Sequence, residues 1–183
     1  MKIGVLPIGN PETTPLLWLK ENLPKAFSEA TCTVVDEKLP LRKEAFNENR
    51  KQYNSHMILS EVQSYAARKP EFNRVLGVVD ADIFVPELNF VFGEATCPGK
   101  AALISLWRLK PEFYGDTPNK ALFLERTLKE AVHELGHTLG LRHCSRSSCV
   151  MHFSNGISDT DVKQRLFCDK CYLHVKRSIE KLG

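Results

Sequence analysis

Residues 133–143 read His133-Glu134-Leu135-Gly136-His137-Thr138-Leu139-Gly140-Leu141-Arg142-His143. His133 and His137 are four residues apart, so on a helix they stand on one face about a turn from each other. Both can reach one metal ion. A catalytic zinc site takes three protein ligands and leaves a position open. Gly140 turns the chain sharply without a Cβ penalty, and His143 then returns as the third ligand. Neutral imidazoles leave a zinc ion its positive charge, which acidifies water and polarises a carbonyl. Glu134 projects roughly 100° around the helix from His133, toward the water rather than the metal. It is the candidate general base, and afterwards the acid that carries the proton to a leaving amine. A surface helix with incidental histidines is the plain alternative. It leaves unexplained why the glycine and the third histidine fall where a metal site needs them.

The next residues form a second donor set. Cys144 and Cys149 are followed by the pair Cys168 and Cys171. Two cysteine pairs joined by an intervening segment suit tetrahedral zinc with no open position, hence a structural ion. Free thiols and a four-cysteine iron–sulfur site are alternatives, because thiolates alone do not select the metal. The expected complement is two Zn²⁺ per chain: His133, His137 and His143 around a catalytic ion, and Cys144, Cys149, Cys168 and Cys171 around a structural one. Because His143 adjoins Cys144, the structural ion also constrains the third catalytic ligand.

HELGHTLGLRH over residues 133–143 resembles the long zinc motif of metzincin metallopeptidases. With CSRSSCVM at 144–151 and Cys168-Asp169-Lys170-Cys171 downstream, the chain resembles the archaemetzincin family within that clan. The resemblance implies a compact metzincin-like zincin with a mixed twisted sheet, an active-site helix and a zinc-stabilised helical C-terminal subdomain. It implies that His133, His137 and His143 bind catalytic zinc, that Glu134 is the base, and that Met151 holds the Met-turn position beneath the ligands. A thioether suits such a floor. Many other metzincins carry a tyrosine two residues after that methionine. This chain has Phe153, which donates no hydrogen bond and puts high endopeptidase activity in doubt. The resemblance tilts the activity toward aminopeptidase-like trimming of short peptides, with Glu94 the candidate anchor for a substrate's free amino group. An edge strand that binds extended peptide is expected at the cleft, whose rim falls to Gly93–Ala95 and Ala101–Ser105.

Outward from the motif, the fold class reads as α/β (α+β). The predicted strands are 2–8, Thr31 to Asp36, Val75 to Val79, Phe90 to Phe92 and Ala101 to Leu106, the last of them an edge candidate. A first helix is predicted from the Thr14-Pro15 start, with Pro24 able to bend or end it, and a second is capped by Ser55. Thr117-Pro118 is predicted to start the motif helix, whose core series is Leu124, Leu128, Ala131, Leu135 and Leu139. Residues 37–54 give no clear pattern and 144–160 read as irregular. From Asp161 helical spacing returns, and Tyr172, Val175, Ile179 and Leu182 fit a C-terminal helix. The whole of 1–183 reads as a single catalytic domain. Its N-terminal lobe is 1–140 with the active-site helix, and its C-terminal lobe is 141–183 with the Met-turn and the four cysteines.

The chain's 25 basic and 22 acidic side chains leave a net charge of +3, too near balance for a nucleic-acid binder. Lys163, Arg165, Lys170, Lys176 and Arg177 alternate with acids and read as a solvated face. No stretch has the length of a membrane span, and no secretion signal is evident. A reducing, cytoplasmic setting follows as the expectation, with the six cysteines reduced or metal-bound rather than paired. Cys32 reads as core. Cys97 reads as a loop or core thiol near the cleft, with a metal-blocking role the alternative. His152 reads as a polar neighbour of the site, and His56 and His174 as structural. The expected function is zinc-dependent hydrolysis of peptide bonds in a peptide or protein substrate. The rival is a zinc-stabilised interaction protein with little or no turnover, against which Glu134 argues. Neither the natural substrate nor the oligomeric state is legible.

Overall fold

The computed structural model describes residues 1–182. In chain order the elements are β1 (Lys2–Ile8), α1 (Thr13–Ala26), β2 (Thr31–Val34), β3 (Phe46–Asn47), β4 (Gln52–Asn54), α2 (Ser55–Arg68), β5 (Arg74–Val79), β6 (Ile83–Phe84), β7 (Gly93–Ala95), β8 (Ala101–Ser105), α3 (Lys120–Thr138), α4 (Ile157–Val162) and α5 (Asp169–Glu180). Short 3₁₀ turns lie at 43–45, 107–109 and 111–114.

The main sheet has the order β2-β1-β5-β8-β7. Its first four strands are parallel, and β7 runs antiparallel to β8 at the edge. β5 and β8 are buried at every residue, as strands covered on both faces must be. Alternation in β1 splits the core: Ile3 and Val5 pack with α1 and α3, whereas Leu6 and Ile8 pack with α2 on the other face. Cys171 and Val175 of α5 join the α1–α3 side. β3, β4 and β6 form a separate small sheet. None of the helices among the described residues is long and apolar enough to cross a membrane.

Several boundaries differ from expectation for local reasons. The motif helix starts at Lys120, capped by Asn119, whose side chain accepts from the Leu122 amide at 3.0 Å; Thr117-Pro118 stays outside it. α2 is capped by Asn54 rather than Ser55, whose hydroxyl is spent elsewhere. Thr14-Pro15 lies inside the first turn of α1, and the helix runs two residues past Pro24. The edge strand is β7, not the last strand β8, which is paired on both sides; Phe90 to Phe92 is not a strand. Thr31 onward pairs only to Val34. Helical spacing from Asp161 is interrupted, because α4 ends at Val162 and α5 begins at Asp169. Tyr172 faces solvent there, while Val175 carries the core contact.

A candidate metallopeptidase centre

α3 is buried along almost its whole second half, including His133 and Glu134. It stops at Gly140, which adopts φ +89°. The Leu141 amide reaches back to Gly136 O at 3.2 Å and the Gly140 amide to His137 O at 2.8 Å, the paired bonds of a Schellman end. That turn brings His143 back over the helix. The ligand nitrogens of His133, His137 and His143 all lie within 4.8 Å of one another.

Hydrogen bonding fixes how two of these rings are presented. His133 Nδ1 is 2.8 Å from Val150 O, and His137 Nδ1 is 2.7 Å from Leu141 O. Carbonyl oxygens only accept, so each Nδ1 carries the proton and each Nε2 presents a lone pair. The two Nε2 atoms are 3.1 Å apart, two acceptors facing each other with no hydrogen between them. That arrangement fits a shared cation. Burial draws the pKa values of all three histidines below their ordinary value, His133 well below, which keeps the rings neutral as ligands must be. The His143 ring packs against Phe153 with centroids 4.9 Å apart, so Phe153 contributes an apolar wall to the exposed third ring.

Beneath the rings, Met151 is fully buried. A Cβ on Gly136 would stand 2.5 Å from Met151 Sδ, so the glycine is what lets the thioether sit against this turn of α3. Glu134 lies against Gly93 of β7 in the same way. A Cβ at 93 would meet Glu134 Cγ at 2.6 Å and Glu134 Oε1 at 2.8 Å. Burial holds the Glu134 carboxyl well above the usual carboxylate range, with Glu130 and Glu94 adding to the shift and Lys163 opposing it. A dication beside it acts in the opposite sense.

These groups face a cleft of about 490 Å³ between β7 and the segment after Met151. Glu94 lies on its strand side, and its carboxylate is engaged by α2. Ser55 Oγ donates to Oε2 at 2.5 Å, and His56 Nδ1 contacts Oε1. His56 is thereby tied to a residue of the cleft, a contact between residues 38 apart that no local pattern signals. Cys97 is exposed at the cleft and its thiol donates to Leu141 O at 3.4 Å, the carbonyl that also orients His137. Cys32 packs on the core, where burial pushes its thiol up to about 12. His152 Nδ1 bonds Cys144 O at 2.9 Å, a structural link beside the site. Lys163 overturns its expectation as a solvated residue: it is fully buried and part of the cleft wall.

The sulfurs of Cys144, Cys149, Cys168 and Cys171 form the second cluster, again within 4.8 Å of one another. Cys144 and Cys168 Sγ are 3.8 Å apart, and the Cys168 amide donates to Cys149 Sγ at 3.4 Å. Burial pushes the Cys149 and Cys171 thiols up. For Cys168 burial acts the same way but is outweighed by hydrogen bonds from the Cys171 amide and the neighbouring thiols, which bring it to about 7. No disulfide forms among the six cysteines. Four converging sulfurs suit a tetrahedral soft-ligand site. The two clusters share backbone: Val150, whose carbonyl orients His133, directly follows Cys149, and the Cys144 amide donates to Met151 O at 2.9 Å.

The sheet, the histidine helix and the glutamate beside it define a zinc metallopeptidase of the zincin fold. The family model "Peptidase family M54" matches residues 32–177. The archaemetzincin of Methanocaldococcus jannaschii is 44% identical over 171 residues, covering 93% of this chain and 90% of that one. The crystal structure of archaemetzincin from Archaeoglobus fulgidus superposes with a TM-score of 0.81 at 38% identity, covering 95% of this chain and 99% of that one. A zinc-dependent peptidase from Methanocorpusculum labreanum superposes at 0.85 with 26% identity, covering 94% and 99%. The chain belongs to the archaemetzincin family.

Proposed function

We propose that this chain hydrolyses peptide bonds at the three-histidine centre and trims short peptides from their amino ends. His133, His137 and His143 would hold a catalytic zinc ion, and the four cysteines a structural one. The observation that carries the reading is the 3.1 Å approach of two Nε2 lone pairs, each forced by a carbonyl bond on Nδ1, beside the buried carboxylate-bearing Glu134. Zinc bound there supplies Lewis acidity, polarising the scissile carbonyl and easing deprotonation of water. Glu134 takes that proton on its carboxylate as water oxygen adds to the carbonyl carbon. It returns the proton to the amide nitrogen as the C–N bond breaks, so one residue acts as base and then as acid. Gly93 gives Glu134 its place, and β7 offers an open strand edge along which extended peptide can pair. Glu94, steadied by Ser55 and His56, faces the substrate's ammonium. Phe153 offers no hydrogen bond, so this wall contributes shape only. Four cysteine sulfurs that converge as one candidate metal-ligand set suit a reducing, cytoplasmic setting.

Two measurements test this. Zinc-loaded protein should cleave short peptides with free amino ends faster than their N-acetylated counterparts; equal rates reject the anchor at Glu94. Native mass spectrometry should count two zinc ions in the wild type and one in His137→Ala. Two ions retained in that variant would remove the histidines from the metal site.

A further inference from the structure

The face of α3 that carries His133 and Glu134 also carries Arg126, Lys129 and Glu130, all buried. Each is tied to α4. Arg126 donates to both Asp161 carboxylate oxygens at 2.7 Å. Lys129 Nζ donates to Thr160 O and Asp161 O at 3.1 Å each. Glu130 Oε1 accepts from Thr160 Oγ1 at 2.9 Å. This ladder fixes the chain at Lys163, whose amide donates to Asp159 O at 3.2 Å.

The Lys163 side chain has 0% exposure, and its Nζ lies 2.9 Å from Glu130 Oε1. Glu130 Oε1 is its ion-pair partner, but it is a single oxygen met off hydrogen-bond geometry, and with no other acceptor among the described residues the ammonium has at least two of its three N–H groups unmet. Arg126 and Lys129 on the same ladder are better met, Arg126 by Asp161 and Leu109 O and Lys129 by two backbone carbonyls. A buried ammonium with most of its N–H groups unmet is costly. It persists here in the wall of the cleft that holds His133 and Glu134, next to the polar residues Ser154 and Asn155.

We propose that Lys163 is a specificity-determining residue that receives a substrate carboxylate on the floor of the cleft; this rests on the peptidase reading above. A carboxylate brings charge and two acceptor oxygens to the unmet N–H groups. A carboxamide brings one oxygen and its own donors, and an apolar side chain leaves the ammonium unmet. Glu130 keeps its bond from Thr160, and the flexible lysine stem lets Nζ bridge Glu130 and a substrate carboxylate, so the glutamate keeps its counter-charge when substrate is met. The carboxylate comes from an Asp or Glu side chain near the cleaved bond, or from the carboxy terminus of a short peptide.

The test uses zinc-loaded full-length protein and short peptides in matched pairs. Glu against Gln is walked along the sequence, and the free acid is set against the amide at the carboxy end. Both kcat/KM and Kd are measured, the latter by calorimetry on Glu134→Gln. One Glu position, or the free acid, should be preferred about tenfold or more, which also tells the two sources apart. That ratio should fall below about threefold in Lys163→Met and in Glu130→Gln/Lys163→Met, the second variant leaving no unpaired buried charge. A purely structural lysine lowers both members of each pair together and leaves the ratio intact, which overturns the proposal. So does an absence of any acid preference in the wild type, while cleavage itself leaves the peptidase reading standing. If peptides with the acid bind more tightly but none is cleaved, the peptidase reading fails and acid recognition by Lys163 holds.

Discussion

Gly93→Ala is the substitution that most sharply couples sheet geometry to chemistry. Its Cβ would stand 2.6 Å from Glu134 Cγ and 2.6 Å from Leu103 O, each nearly 1 Å inside ordinary contact. Leu103 is in β8, hydrogen-bonded between β5 and β7, so its carbonyl cannot retreat. The strain must then be relieved by lifting β7 or by displacing the Glu134 side chain by about 1 Å. Displacement on that scale costs on the order of 10²-fold in rate when the displaced group transfers a proton. Overpacking costs about 1–3 kcal/mol of stability, a fall of about 2–12 °C in Tm for a chain of this size. The atoms nearest an added Cβ at 93 belong to Glu134 and Leu103 rather than to the histidines, so zinc content should stay at the wild-type level. The assay is kcat/KM on a short peptide with zinc content and Tm measured on the same preparations. Activity within threefold of wild type would refute the claim that Gly93 sets the position of Glu134. Truncating the acid in Gly93→Ala/Glu134→Ala removes both Cγ and Oε1 and leaves only the Leu103 O contact, so the double variant should recover part of the stability lost in Gly93→Ala.

Three further outcomes are expected. Gly136→Ala brings a Cβ to 2.5 Å from Met151 Sδ and 3.2 Å from the Phe167 ring, so thermal unfolding should show a loss of about 1–3 kcal/mol; an unchanged Tm would show that Met151 yields freely. Cys171→Ser should release the ion of the four-cysteine cluster and also weaken metal binding by the histidines, because Val150 O and His143 are covalent neighbours of Cys149 and Cys144; native mass spectrometry that finds both ions retained and an unaltered melting curve contradicts this. Ser55 of α2 holds the carboxylate of Glu94, a residue of the cleft, so Ser55→Ala should raise KM for peptides with free amino ends and leave KM for their N-acetylated counterparts unchanged; a lowered Tm with both KM values unchanged assigns Ser55 to folding only.

The two candidate ligand clusters were legible in the sequence because their residues are close along the chain. His133 and His137 are related by one helical turn, Gly140 is the only residue type at ease at φ +89°, and His143 and Cys144 are adjacent. The buried strand Val75 to Val79 and the core series of α3 were legible for a similar reason, since periodicity reports burial directly. What stayed hidden depends on contacts across the chain. Lys163 sits among charges of both signs, a pattern that ordinarily marks a solvated surface, and only the ladder from α3 to α4 buries it. Ser55 looked like a helix cap, but its hydroxyl reaches Glu94 and Asn54 takes over the cap. Gly93–Ala95 was legible as cleft rim but not as the outermost strand, because β7 is three residues long and carries no alternation of its own; β8 lies inside the sheet because β7 folds back onto it.

The claim at the centre of this account is that Glu134 moves the proton while the three histidines hold the ion. Its most direct test is kcat/KM for wild type and Glu134→Ala on one short peptide that the wild type cleaves, with zinc stoichiometry measured on both. The account expects full zinc occupancy in the variant and a loss of activity of about 10²–10⁴-fold or more. A fully zinc-loaded variant that keeps more than half of the wild-type activity contradicts it.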